Sequence, residues 1–207
     1  MREALQVLRA GHEHDPSSEI IAYNLGVVVE RLGDPDGAKK LYQDAIKLDA
    51  DHSMAWNNLG AIYDRQGDRA EAIKCVIRAR QADPLNAEAA YNLGILLMRD
   101  NKYQEALPHL NDTLRLNPAF TAAAVQRARA LTEVGQNDAA LAAWKQLTAV
   151  HPGAWIGVAR VEMSLGHEKE ARAALREGLS KGGQQFRAAA MKDEQLRPLI
   201  PKVSPHS

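Results

Sequence analysis

Cysteine is nearly absent: Cys75 is the only one in 207 residues. A single thiol excludes an intrachain disulfide and a metal site built from several cysteines. It suits the cytosol and the periplasm alike, so the compartment stays open. Net charge is absent too. The 26 basic residues balance 26 acidic ones, which removes any general attraction to a polyanion and argues against nucleic acid as a partner. No apolar run approaches the ~20 residues that span a bilayer, so membrane insertion is not expected. The first residues, MREALQVLRAG, carry Arg2 and Glu3 and do not read as a secretory signal. Sustained period-two alternation is missing, and with it any expectation of a sheet. No glycine-rich loop follows a strand, and no Ser or Cys with a nearby His makes a nucleophilic pair. Neither catalysis nor a cofactor is expected.

What is present is a period. Asn24, Asn58 and Asn92 stand 34 residues apart, and the next step lands on Gln126. Ala4, Ala38, Ala72, Ala106 and Ala140 keep the same interval, as do Gly33, Gly67, Asn101 and Gly135. A further row runs Pro16, Ala50, Pro84, Pro118 and Pro152. Independent rows at one interval mark an array of repeats.

Each unit reads as two helices. Between 53 and 86, Trp56, Leu59, Gly60 and Tyr63 recur at i, i+3, i+4, i+7, one face of a first helix. Gly67 ends that helix, because a left-handed residue is least strained as Gly; Asn101 holds the corresponding place one unit later, and Asn tolerates the same conformation. Asp68 then caps a second helix carrying Ala72, Val76 and Ala79, and Asp34-Pro35 does the same in the unit before. Gly26, Gly60, Gly94 and Ala128 let the paired helices approach closely, while Tyr42, Tyr63 and Trp144 fill the space between them. Pro108 falls inside a second helix and is expected to bend it slightly. No unit can bury its apolar face alone, so the units must stack.

These residues resemble the tetratricopeptide repeat family, whose 34-residue helix–turn–helix pattern the segment 53–86 matches at Trp56, Leu59, Gly60, Tyr63, Ala72, Ala79 and Pro84. The resemblance implies an all-α fold, a right-handed superhelix of stacked repeats. On this frame, 19–52, 53–86, 87–120 and 121–152 are four repeats, and 153–183 is a compressed fifth with Trp155, Ala159, Gly166, Ala171 and Leu175. Residues 1–16 read as only the second helix of an incomplete repeat, as if the chain began inside a longer array. Residues 184–200 are expected to form capping helices, and 201–207 a frayed tail.

At about 100° per residue, Asn58 is turned away from the apolar stripe of its helix. In the family, first helices line the concave surface, so the resemblance places the row Asn24, Asn58, Asn92 and Gln126 in a groove. A carboxamide both donates and accepts, which suits it to an extended peptide backbone. The superhelix of O-linked N-acetylglucosamine transferases carries a similar asparagine row. Tyr23, Asn57, Tyr91, Val27, Ile95, Met54 and Met98 flank the row as candidate peptide-binding residues. Arg31, Arg65 and Arg99 form another, able to meet carboxylates or to pair with Glu30 and Asp64 on a solvated face. The asparagines have an alternative of their own, hydrogen bonding to the neighbouring repeat. In the fourth repeat Arg129 and Glu133 change the character of the face. The family's carboxylate clamp is not expected, because Tyr23, Glu88 and Val27 occupy places it requires.

The reading favoured by these residues is a non-catalytic scaffold that holds a protein partner, as an extended peptide or a helix, in its groove. Two others stay open: the substrate-recruiting arm of a larger enzyme such as a glycosyltransferase, and a self-assembling protein whose unpaired first helix (Leu5, Val7, Leu8) joins copies. GHEHD at 11–15 reads as a turn whose adjacent side chains do not converge on a metal, and Cys75 as an inert apolar neighbour of Val76.

Overall fold

The computed structural model describes residues 1–200; the tail expected at 201–207 lies outside the described residues. Among these, regular structure consists of eleven α-helices and a short 3-10 turn, with no strand. The fold is an all-α solenoid of helix–turn–helix units. Two compact bodies divide it. The first, Met1–Asn101 with Arg115–Asn117, contains α1 (Arg2–His14), α2 (Glu19–Arg31), α3 (Pro35–Leu48), α4 (Ser53–Arg65), α5 (Arg69–Ala82) and α6 (Ala87–Arg99). The second, Lys102–Leu114 with the described chain from Pro118 to 200, contains all but the last two residues of α7 (Tyr103–Leu116), with α8 (Thr121–Glu133), α9 (Asn137–Leu147), α10 (Ala154–Ser164), α11 (Glu168–Ala190) and the turn Arg197–Leu199.

Local chemistry sets the helix ends. Asp34 Oδ1 accepts from the Gly37 N–H at 2.8 Å, ahead of Pro35 at the first helical position, and Asp68 Oδ1 accepts from Glu71 at 3.3 Å. First helices have caps as well. Ser18, His52 and Asn86, also 34 residues apart, accept from Ile21, Ala55 and Ala89; this row is hard to read in the sequence because one of its members is a histidine. Between paired helices, Gly67 has φ 84° and Asn101 has φ 58°, the left-handed region in both. Asn101 therefore does the work of the glycines in its row.

The rows of small residues are buried to the last atom: Ala38, Ala72, Ala106 and Ala140 are 0% exposed. Gly60 is equally constrained, since a Cβ there would stand 2.9 Å from Val76 Cγ2 and 3.1 Å from the Ala72 carbonyl. Tyr63 departs from its expected core position. It is half-buried at the edge of the core, with Lys39 Nζ lying 4.0 Å over its ring, because the long amine covers what the next helix leaves open. Pro108 sits inside α7, which continues as one helix from Tyr103 to Leu116.

Helix α1 lies against the repeat that follows it. Leu5 and Leu8 pack against the core formed by Ala22, Leu25 and their neighbours, and a Cβ at Gly11 would come within 3.6 Å of Ile21, while Val7 points outward and is 71% exposed. Far along the chain, α11 breaks its helical geometry at Gly183, where φ is 53° and ψ −140°.

The turn geometry makes a direct prediction. Gly67→Ala places a Cβ in the left-handed region and should destabilise the protein by about 1–2 kcal/mol. Gly67→Asn, imitating Asn101, should cost less than half as much. Urea unfolding midpoints of the two variants measure the difference.

Candidate functional site

The first helices α2, α4 and α6 stack within one body, and polar side chains stitch each to the one before it. Asn58 Nδ2 on α4 donates to Tyr42 OH at 3.3 Å and, at the long limit of 3.5 Å, to Tyr23 OH on α2. Asn92 Nδ2 on α6 donates to Asn57 Oδ1 on α4 at 2.9 Å. Arg65 pairs with Glu30, and Arg99 with Asp64. Every one of these links between first helices joins residues 35 positions apart. Tyr42 OH in turn donates to Glu30 Oε2 at 2.7 Å. Burial, reinforced by the Glu30 carboxylate, holds the Tyr42 phenol well above its ordinary pKa, and burial raises that of Tyr23. Both phenols are therefore neutral; Tyr42 donates to Glu30, and both hydroxyls accept from Asn58. Tyr23 packs its ring 5.9 Å from Tyr42 and 4.8 Å from the His52 ring.

This arrangement divides the fourteen expected groove residues. Five of them, Arg65, Tyr91, Asn92, Ile95 and Arg99, line one hollow of about 270 Å³ between α4 and α6. Asn24, Arg31 and Met54 are exposed on the same series of helices, and Tyr23, Val27 and Asn58 are half-buried. Two expectations are corrected. Asn57 is only 4% exposed, because one residue's rotation carries it from the open face into the seam, where it receives Asn92. Met98 is 7% exposed and belongs to the core with Leu96 and Leu97. Gln126 is half-buried on α8 in the second body, where Arg127 Nε donates to Asn111 Oδ1 at 2.6 Å and Arg129 and Glu133 are exposed.

For Arg65 and Arg99 the geometry matches the solvated-pair alternative, so their guanidinium groups already have carboxylates. Asn58 and Asn92 follow the neighbouring-repeat alternative through Nδ2, while among the described residues no donor occupies either Oδ1. Asn24 is exposed on α2 and makes no side-chain hydrogen bond among the described residues. Five contributors to the hollow, Gly60, Ala61, Asp64, Val76 and Leu96, are not among the groove residues expected from sequence. A signal for Val76 exists: positions 42, 76, 110 and 144 read Tyr, Val, Leu and Trp, and the smallest stands at the hollow.

Among the described residues no three His, Cys, Asp or Glu side chains gather as a metal site. GHEHD is not a loop; α1 runs through His14. His12 and His14 therefore point about 200° apart around the helix. Cys75 is buried, and that burial pushes its thiol up to about 11, away from the reactive thiolate. No described helix is long and apolar enough to cross a membrane.

Two tetratricopeptide repeat family models match the chain, one at residues 2–51, 23–74 and 62–119 and the other at 97–154. No curated protein sequence matches it. Among solved structures, YrrB, a TPR protein with an unusual peptide-binding site, is similar with a TM-score of 0.81 at 22% identity, covering 92% of this chain and 100% of that one. MamA is similar with a TM-score of 0.71 at 24% identity, covering 79% and 97%. PilF of Pseudomonas aeruginosa reaches 0.72 at 21% identity, covering 90% and 87%.

The seam predicts a gradient of stability effects along the asparagine row. Asn92→Ala strands the buried Asn57 oxygen and should cost about 1–3 kcal/mol. Asn24→Ala removes no internal bond and should fall within about 0.5 kcal/mol of the parent. Equilibrium denaturation of the two variants checks the order.

Proposed function

Because the chain belongs to the tetratricopeptide repeat family, we propose that it is a non-catalytic scaffold that holds an extended segment of a partner protein along the first helices α2, α4 and α6. The observation that carries this reading is the convergence of Arg65, Tyr91, Asn92, Ile95 and Arg99 on one hollow, beside a row of part-engaged amides. Asn24 offers a guest backbone both a donor and an acceptor. Asn58 and Asn92, anchored through Nδ2, offer Oδ1 to a guest N–H. Anchoring favours the guest, since an amide fixed by the preceding repeat loses little further freedom on binding.

The guanidinium groups divide differently. Arg65 and Arg99 are neutralised by Glu30 and Asp64, which leaves Arg31 as the cation on these helices for a guest carboxylate. The hollow, at about 270 Å³, is below the ~300–1,000 Å³ of small-molecule pockets and fits one side chain better than a cofactor. The peptide-binding site of YrrB is a precedent for such a role on this fold.

Selection of a displayed random-peptide library against the full chain tests the reading. It should return binders whose Kd weakens about 3- to 10-fold in Asn24→Ala, the loss of one net hydrogen bond, with the helical circular dichroism unchanged. Selections that enrich nothing, or binders indifferent to Asn24→Ala, would remove the scaffold reading's support.

A further inference from the structure

The hollow between α4 and α6 has an occupied twin one repeat earlier. Between α2 and α4, the Tyr42 ring lies against Gly26, where a Cβ would stand 2.8 Å from its Cε1. Its hydroxyl donates to Glu30 Oε2 and accepts from Asn58 Nδ2, and the other Glu30 oxygen holds Arg65. Thirty-four residues on, every member of this set recurs save one. Gly60 replaces Gly26, Asp64 replaces Glu30, Asn92 replaces Asn58, and Arg99 replaces Arg65 and pairs with Asp64 Oδ2. Val76 stands where Tyr42 stood. The ring is gone, and with it the hydroxyl that joined carboxylate to amide.

Three groups are left facing an unfilled space. Val76 and Leu96, 1% and 3% exposed, make an apolar floor with Gly60. Asp64 keeps Oδ1, which Arg99 does not use. Asn92 keeps the second hydrogen of Nδ2, the first being held by Asn57 Oδ1. A hydroxyl both donates and accepts; so does a peptide group.

We propose that this hollow is a side-chain slot for the partner's extended segment: it takes a phenylalanine-sized apolar side chain, while Asp64 Oδ1 and Asn92 Nδ2 hold the N–H and C=O of that guest residue's backbone. Floor and rim fix this orientation. The buried apolar atoms lie at Val76 and Leu96, and the polar ones at Asp64, Asn92 and the exposed Arg65 and Arg99. A side chain entering from the face of the first helices thus meets the floor with its ring and the rim with its main chain. Size agrees: about 270 Å³ exceeds the ~150 Å³ cavity known to admit benzene. The inference rests on the scaffold reading above and adds to it one position with a preference.

N-acetyl-phenylalanine methylamide, one residue with a peptide group on each side, is the probe. Titrated into the full chain, it should shift the methyl signals of Val76, Ile95 and Leu96 with a Kd on the order of 1 mM. The alanine analogue should bind at least 10-fold more weakly, about the loss of a buried ring. Toluene, which lacks both peptide groups, should also bind several-fold more weakly. Val76→Tyr reproduces the Tyr42 arrangement and should abolish the shifts. If that variant does not fold, Val76→Leu, which borrows the buried leucine found at Leu110 in the same row, should weaken them several-fold. No shift at these methyls, equal binding of the alanine analogue, or shifts unaffected by the Val76 variants overturns the slot. Library-selected peptides that need Asn24 but ignore the Val76 variants overturn the slot and leave the scaffold reading standing. A probe that enters the hollow when the library yields no peptide does the reverse.

Discussion

A helix pair built on one amphipathic stripe has no interior of its own, so every property of this protein depends on how one pair seats on the next. Apolar contact supplies most of the attraction but little register, because alanine and leucine surfaces tolerate sliding. Register comes from the polar links between first helices, where an amide and a guanidinium of one repeat meet a ring hydroxyl or amide and a carboxylate of the repeat before. A shift of one residue would leave Asn57 buried without its donor and Glu30 without Arg65. Exposed ion pairs are individually weak, so the buried amide link carries more of this discrimination than the arginines do.

The same links also shape the exposed surface around them. A side chain that grips the neighbouring repeat through one end is held still and presents its other end at a fixed angle. For Asn58 and Asn92 the structural bond uses Nδ2 and leaves Oδ1 open, so the two roles that the sequence poses as rivals would use different ends of one carboxamide. Asn24 is exposed and makes no such link among the described residues.

Much of the architecture was legible because it rests on local chemistry. Asp34 and Asp68 cap because a carboxylate fits a helix start, and Asn101 could be read as a glycine substitute because few other residues accept a positive φ. The site was legible in part. Helical rotation put Asn24 on an exposed face and Tyr91 and Ile95 beside the hollow, yet it could not separate Asn57 from Asn58, since burial at a seam depends on the neighbouring helix as well as on the residue's own. Met98 failed for the same reason. The hollow itself is a difference between repeats, Val76 against Tyr42, and a search for what repeats passes over what changes.

The seam also has a direction. Across the links between first helices, donors face the preceding repeat and acceptors the following one, and the kinds of group are shared from junction to junction. Excision of residues 53–86 would bring Asn92 against Tyr23 and Arg99 against Glu30, each meeting a partner of the sort it already has. Tyr42 would then lie beneath α6 and fill the space that Val76 leaves. Array length and guest preference are thus coupled: losing one whole unit would heal the junction and erase the slot in the same event.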